Sequence, residues 1–429
     1  MANDPILAAL RAQQAGYQAG WGGPEYTDWL DEQLSWKTDC YLGDWSFLMD
    51  LEVKGADALR LFSDHTVNSY ASFPIGRAKH AIFCSDEGKV IVEGVLMRMD
   101  EETYRIQSGP AVFADFLIAH SEYNVTSREI NSFQIQVSGP AALAVCEAVT
   151  GEPLGDIRFM HFRSLKIAGK RVYALRQGMA GEIGFEFHGD AADKLEVEAA
   201  ILAAGAPFGM RRLGRRTAMI NHLEAAFPTG LWHYTPDMFG RAVEGFAQWA
   251  QSKWAHAFTT PPALRGSFEG QSIRDYLLSP FELGWGHCVR FDHDFTGRAA
   301  LEAEVTGGKS KCRVTLEYDP ADLIAIYASL FDETQAPFDY LDIPHPQQWV
   351  IWADEVLSGS GPVGIASSPG YSAFFRKVLA LAFVEPSHAV PGTRLEVLWG
   401  TPGGRRRPIG ATVAPAPFKI DRRRDTARP

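Results

Sequence analysis

The rhythm of apolar residues changes once in this chain, near residue 307, and that change limits the folds open to it. Before it, segments of period two alternate with segments of helical period. Phe47 to Val53 reads as a strand and Gly55 to Ser63 as a helix, with Ala58, Leu59, Leu61 and Phe62 at helical spacing. Lys89 to Met99 alternates and ends in Asp100-Glu101-Glu102, one arm of a hairpin, and Pro110 to His120 reads as an amphipathic helix. A second cycle has a strand at Phe133 to Val137 and a helix at Ala141 to Val149. Two strands follow, Ser164 to Ala168 and Arg171 to Arg176, about the turn Gly169-Lys170. After Gly307 come short strands parted by Gly and Pro: Cys312 to Glu317, Trp349 to Trp352, Val378 to Phe383 and Thr393 to Trp399. The pattern predicts an α+β body of two pseudo-duplicated subdomains over residues 1–306, then a β-barrel over residues 307–429. A short helix over Ile6 to Gln13 opens the body, and Thr235 to Phe268, rich in Trp and Phe, reads as a helical insertion outside any sheet.

Charge and cysteine usage narrow the function classes. A net charge of −11 repels nucleic acid phosphates and anionic lipid. The basic triplets Arg405 to Arg407 and Arg422 to Arg424 read as a solvated tail. No segment approaches the roughly 18 apolar residues that a membrane span needs. The first residues carry Asp4 and no basic stretch ahead of an apolar one, so no secretory leader is expected. Cys40, Cys84, Cys146, Cys288 and Cys312 stand singly, which argues against a disulfide framework and a structural zinc site. The cytoplasm is the expected compartment, with a small aromatic molecule as partner and a homo-oligomer left open.

Three segments carry a resemblance. Asp275 to Leu301, DYLLSPFELGWGHCVRFDHDFTGRAAL, is similar to a segment of the aminomethyltransferase-like (glycine cleavage T-protein) folate-binding family. Arg176 to Phe187, RQGMAGEIGFEF, resembles that family's Gly-rich segment ending in Glu, and Lys377 to Gly400 resembles its C-terminal barrel. With Gly55 to Asp64 added, the likeness runs from about Trp36 to Trp399. It implies that Glu186 grips a pterin ring, whose paired N–H donors suit one carboxylate. Gly178, Gly181 and Gly184 would let the backbone turn tightly beside it, and Arg216 would be a second cofactor contact. Asp292-His293-Asp294 superficially suggests a metal motif, but consecutive strand residues point to opposite faces, and the family uses this segment structurally, so no metal is expected.

Within the family the chain most resembles the bacterial tetrahydrofolate-dependent aromatic O-demethylases of the vanillate and syringate type. That likeness implies a His and an Arg holding a benzoate carboxylate, and a Tyr acting as general acid. This chain departs at all three positions. Phe47 stands for the His, Ser108 (or Gln107) for the Arg, and Ala218 for the Tyr. A carboxylate in such a pocket would be desolvated without a partner, so a neutral aromatic is expected there, with Phe47, Lys79, Ser108, Ala218 and Tyr41 as substrate contacts. Tyr234 or Tyr41 could replace the missing acid. Glu93 falls where aminomethyltransferases carry a catalytic Asp, and Val92 and Val95 would raise its basicity. His222 and Glu224 in Asn221-His-Leu-Glu, and Lys79-His80 on a substrate-facing loop, are further candidates.

Two activities compete. The preferred one is a carbon–carbon lyase that uses Glu93, His222 and Tyr234. It would release formaldehyde from the γ-hydroxymethyl group of a phenylcoumaran-type lignin dimer, giving a stilbene without a cofactor. The alternative is a tetrahydrofolate-dependent aromatic O-demethylase. A third class, the iron–sulfur assembly relatives, carries a K-G-C-Y-x-G-Q-E signature that this chain lacks.

Overall fold

The computed structural model describes residues 4–14, 23–179, 181–238, 243–256, 262–308, 311–344, 350–359 and 361–425. Alternation of side chains along each strand builds the body. In the strand Ser132–Ser138, Phe133, Ile135 and Val137 face an apolar core, while Gln134 and Gln136 face the other way. Its neighbour Gly184–Asp190 repeats this, with Phe185 and Phe187 inward and Glu186 opposite Gln136. These two strands sit in the middle of a six-stranded sheet, whose core face is covered by the helices Ala142–Thr150 and Lys194–Gly205.

The other subdomain is a five-stranded antiparallel sheet in the order Ala78–Cys84, Val90–Arg98, Thr103–Gln107, Asp50–Lys54 and Thr126–Glu129. The helices Ala58–His65 and Gly109–Ala119 pack on it. The second of these is not amphipathic. Residues Pro110 to Phe116 are all buried, because the helix Phe246–Lys253 covers its outer side. That helix lies in the expected insertion, of which residues 239–242 and 257–261 lie outside the described residues. Contrary to expectation, the insertion does join a sheet: Ala263–Arg265 pairs in parallel with Val350–Trp352.

Past the helix Arg298–Gly307, six strands close on themselves, since Cys312–Tyr318 pairs with both Lys377–Val384 and Arg407–Ala414. This is a GcvT-like fold with a closed six-stranded C-terminal barrel. No described helix is long and apolar enough to cross a membrane. The C-terminal basic residues are not a free tail. Arg407 opens a barrel strand and pairs with Asp322, and the chain beyond residue 414 returns to the body. There Phe418 and Lys419 donate their N–H groups to the Glu224 carbonyl, and Arg422 donates its own to the Gly181 carbonyl.

Candidate functional site

The cavity side of both sheets, the end of the helix Arg215–Glu224 and the returning C-terminal segment enclose a cavity of about 1060 Å³. Among the described residues, six non-glycine residues take a positive φ, and Ser108, Met160, Ala226 and Leu231 among them line this cavity. Backbone strain of this kind costs on the order of 1–3 kcal/mol per residue and persists only where the surroundings impose it.

On the five-stranded side, His80 pairs with Val95 and Ile82 with Glu93, so His80 and Glu93 are diagonal neighbours on one face. His80 Nε2 lies 2.6 Å from Glu93 Oε2. Lys79 and His80 therefore belong to a strand, not a loop. Cys288, at the end of the turn Gly286–Cys288, brings its sulfur to the same imidazole. Burial works against the His80 imidazolium, but Cys288 and Glu93 outweigh it and hold the group up at about 10. Burial likewise opposes the Cys288 thiolate, yet His287 and His80 bring it down to about 6. The ring of Trp285 meets His80 edge-on at 4.9 Å, and Phe227 lies 5.8 Å away.

On the six-stranded side, Glu186 lines the cavity and its Oε1 accepts from Gln136 Nε2 at 2.9 Å. Behind Gln136 a hydrogen-bonded chain runs through Tyr41 and Asn221 to Lys419, which forms an ion pair with Glu224 at 3.7 Å. The Gly-rich approach is sterically required. A Cβ on Gly178 would stand 2.4 Å from the Glu182 carbonyl oxygen, and one on Gly184 would stand 2.8 Å from Gly178 Cα. His222 stacks on Trp45 at 5.9 Å and bonds Thr229 through Nδ1 at 2.6 Å. Its Nε2 is buried without a hydrogen-bond partner among the described residues, and burial pushes its pKa down to about 3.

Glu93, His222, Tyr234, Phe47, Lys79, Ser108 and Glu186 all line the cavity. Tyr41, Ala218, Arg216 and Glu224 do not. Tyr41 is fully buried behind Gln136, and Ala218 faces a core cluster with Trp36 and Leu213. Arg216 points out to Glu25 at 3.6 Å and over the Trp29 ring at 4.5 Å, because the helix Arg215–Glu224 begins on the N-terminal segment's side. Phe47 lies in a turn and not on a strand, and His222 lies on that helix. Glu224 is a structural tie outside the cavity wall, bound by Lys37 at 2.8 Å, Trp36 Nε1 at 2.9 Å and Ser372 at 2.6 Å.

Two of these groups suit their expected chemistry poorly. A neutral His222 cannot serve as a general acid, and burial lifts the Tyr234 phenol well above its ordinary value, making it a weak acid. Asp292 and His293 bond to each other at 3.0 Å, and His293 Nε2 lies 3.2 Å from the Thr66 carbonyl oxygen. No group of metal-ligating side chains occurs among the described residues. Sequence reasoning missed Cys288, Trp285, Gln136, Arg423 and Arg424, all on the cavity wall. The adjacent His287-Cys288 pair was the available signal for the first.

The family described as the GCVT N-terminal domain matches residues 7–238, and the glycine cleavage T-protein C-terminal barrel domain matches residues 341–419. Syringate O-demethylase of Sphingobium sp. is 32% identical, covering 95% of this chain and 92% of that protein. Sesamin methylene transferase of Sinomonas sp. is also 32% identical, covering 92% and 89%. The aminomethyltransferase of Streptomyces avermitilis is 26% identical over 91% and 90%. The crystal structure of aminomethyltransferase T from Bartonella henselae superposes with a TM-score of 0.68 at 18% identity, over 97% of each chain. With its N-terminal body and its barrel both matched, the chain belongs to the glycine cleavage T-protein family of aminomethyltransferase-like enzymes.

Proposed function

We propose that this enzyme moves a one-carbon unit from an oxygen of an uncharged aromatic substrate to tetrahydrofolate. The observation that carries the reading is the His80–Glu93 pair, held protonated on the wall of a cavity lined by Trp45, Phe47, Phe227 and Trp285 and facing Glu186. The relatives reported above are named for moving methyl, methylene or aminomethyl groups. The formaldehyde-releasing lyase therefore gives way to the transfer reading it was set against.

The wall fits a folate. Glu186 offers a carboxylate fixed on one side by Gln136. Gln134 Nε2, Gln177 Oε1 and His222 Nε2 are buried cavity-lining groups without a partner among the described residues. Such a set of donors and acceptors suits a flat heteroaromatic with amine and amide groups. Arg290, Arg313 and Arg424 add positive charge that suits the folate carboxylates, while Arg423 is paired with Asp421 at 2.7 Å. When bound, tetrahydrofolate supplies the amine nitrogen that takes the one-carbon unit.

The chain's own residues then have defined tasks. Losing the one-carbon unit leaves an aryl oxide, whose basicity resembles that of tyrosinate at about 10. His80, held at about 10, can give that oxygen a proton with little free-energy change. Glu93 orients the imidazole and keeps it charged, so it is a positioning residue. The aromatic rings hold the substrate ring and keep water from it. Two cations on the wall are already engaged, Arg77 by the Ser72 carbonyl and Lys79 by the Ser69 carbonyl and the rings of Tyr70 and Phe73. Neither is then free to clamp a substrate carboxylate beside Phe47 and Ser108, which supports an uncharged substrate there. The test is phenol release from methoxy- and methylenedioxy-aromatics, with carboxylated analogues as competitors. Release that is strict in its need for tetrahydrofolate and favours uncharged compounds is expected. Release at the same rate without folate would overturn the proposal.

A further inference from the structure

Cys288 has no part in the proton step above, yet its surroundings are those of a reactive thiol. Its N–H donates to the Trp285 carbonyl at 2.8 Å, which fixes the turn, and its sulfur meets His80, whose Nε2 is bonded to Glu93. Cysteine, histidine and carboxylate in series on a cavity wall is the arrangement that turns a thiol into a nucleophile. The buried cysteines of the core differ: desolvation drives the thiols of Cys84 and Cys146 upward, with no histidine to oppose it. His222, on the far side of the Phe227 ring that lies 5.8 Å from His80 and 6.0 Å from His222, lines the same cavity. The wall thus holds a nucleophile with an acid beside it.

We propose that Cys288 is a covalent acceptor for a one-carbon unit at the oxidation level of formaldehyde, held as an S-hydroxymethyl cysteine. The sulfur forms a bond to the carbonyl carbon and the C=O π bond breaks onto oxygen. That oxygen takes the proton of the His80 imidazolium, leaving neutral imidazole beside Glu93. No electrons are gained or lost, and the reverse step restores thiolate, imidazolium and formaldehyde. Methyl would behave differently. Displacement at a methyl carbon gives a thioether, from which the sulfur does not readily depart. A reversible acceptor therefore suits a methylene unit held between oxygens better than a methoxy group. The sulfur bonds to the methylene carbon as one C–O bond breaks, and His80 protonates the departing oxygen. Water then replaces the second oxygen, which leaves as the other hydroxyl, to give the same S-hydroxymethyl group. The inference rests on the one-carbon transfer reading and narrows its donor.

The test uses the full chain and 13C-formaldehyde, first without folate. An S–CH2–OH resonance is expected in the wild type and absent in Cys288→Ser, and formaldehyde should protect Cys288 from iodoacetamide. His80→Gln, which keeps the sulfur, should slow iodoacetamide alkylation of Cys288 at neutral pH by at least about tenfold. The same resonance in Cys288→Ser, or none in the wild type, overturns the proposal. Transfer to tetrahydrofolate is then measured separately. Cys288→Ser should lower kcat at least about tenfold with KM nearly kept. Wild-type transfer with an unimpaired Cys288→Ser refutes the acceptor role and leaves the transfer reading intact. An adduct without transfer to folate supports the acceptor and refutes the transfer reading.

Discussion

Replacing Glu93 by Gln removes a carboxylate 2.6 Å from His80 Nε2 while keeping the shape of the side chain. The Glu93 side chain is 13% exposed and that of His80 20%, so solvent screens the pair only partly. With the carboxylate present, His80 stays protonated up to about 10. If all that elevation were lost, the group would return to its ordinary value near 6.5. At about pH 8 the imidazolium fraction would then fall from nearly complete to about 3%, a loss of about thirtyfold in the acid form. At about pH 6 the fraction would fall by less than about twofold. Burial, which lowers the group, and Cys288, which raises it, both remain in the variant, so about thirtyfold is the scale of the loss. The assay is kcat for phenol release across this pH range in wild type and Glu93→Gln. A defect that grows with pH, with the alkaline limb moved to lower pH, is expected. An equal loss at every pH, or none, would refute His80 as the proton donor.

Glu186→Gln should weaken tetrahydrofolate binding by about 1.5–3 kcal/mol in calorimetry, since a charged acceptor is lost; unchanged affinity would remove Glu186 from the cofactor site. Glu224→Gln leaves Lys37 and Lys419 buried without their shared anion and should cost about 3–5 kcal/mol in denaturant unfolding, and a cost below about 1 kcal/mol would contradict that account. Burial holds His222 and His233 down to about 3, so the unfolded chain binds protons that the native chain refuses between about 6.5 and 3. Their contribution therefore makes stability fall as pH drops through that window, and His222→Leu should flatten the decline in urea melts; an unaltered pH slope would count against it.

Much of the frame is written in local alternation. Phe133, Ile135 and Val137 against Gln134 and Gln136 mark the sheet that carries Glu186, and the short strands after Gly307 mark the barrel. The helix Arg215–Glu224 is harder to read, because Thr217 to Glu224 are all buried and no polar stripe gives away the 3.6-residue period. That is why Arg216 reads as a pocket residue although it points away from the cavity. Glu93 and His80 are legible singly, but their series with Cys288 is not. A turn and two strands bring it together, and neither the single Cys nor the His carries a spacing that points to the other. The returning segment with Arg423 and Arg424 is hidden likewise, since only the barrel's closure sends those residues back over the body.

The fate of the carbon itself tests the central claim most directly. An uncharged aryl methylenedioxy or methoxy compound, labelled with 13C at the one-carbon unit, is turned over with tetrahydrofolate and followed by NMR. The account predicts that the label appears on the folate in step with the released phenol, with no free formaldehyde building up. Label that accumulates as formaldehyde while the folate stays unlabelled would contradict it.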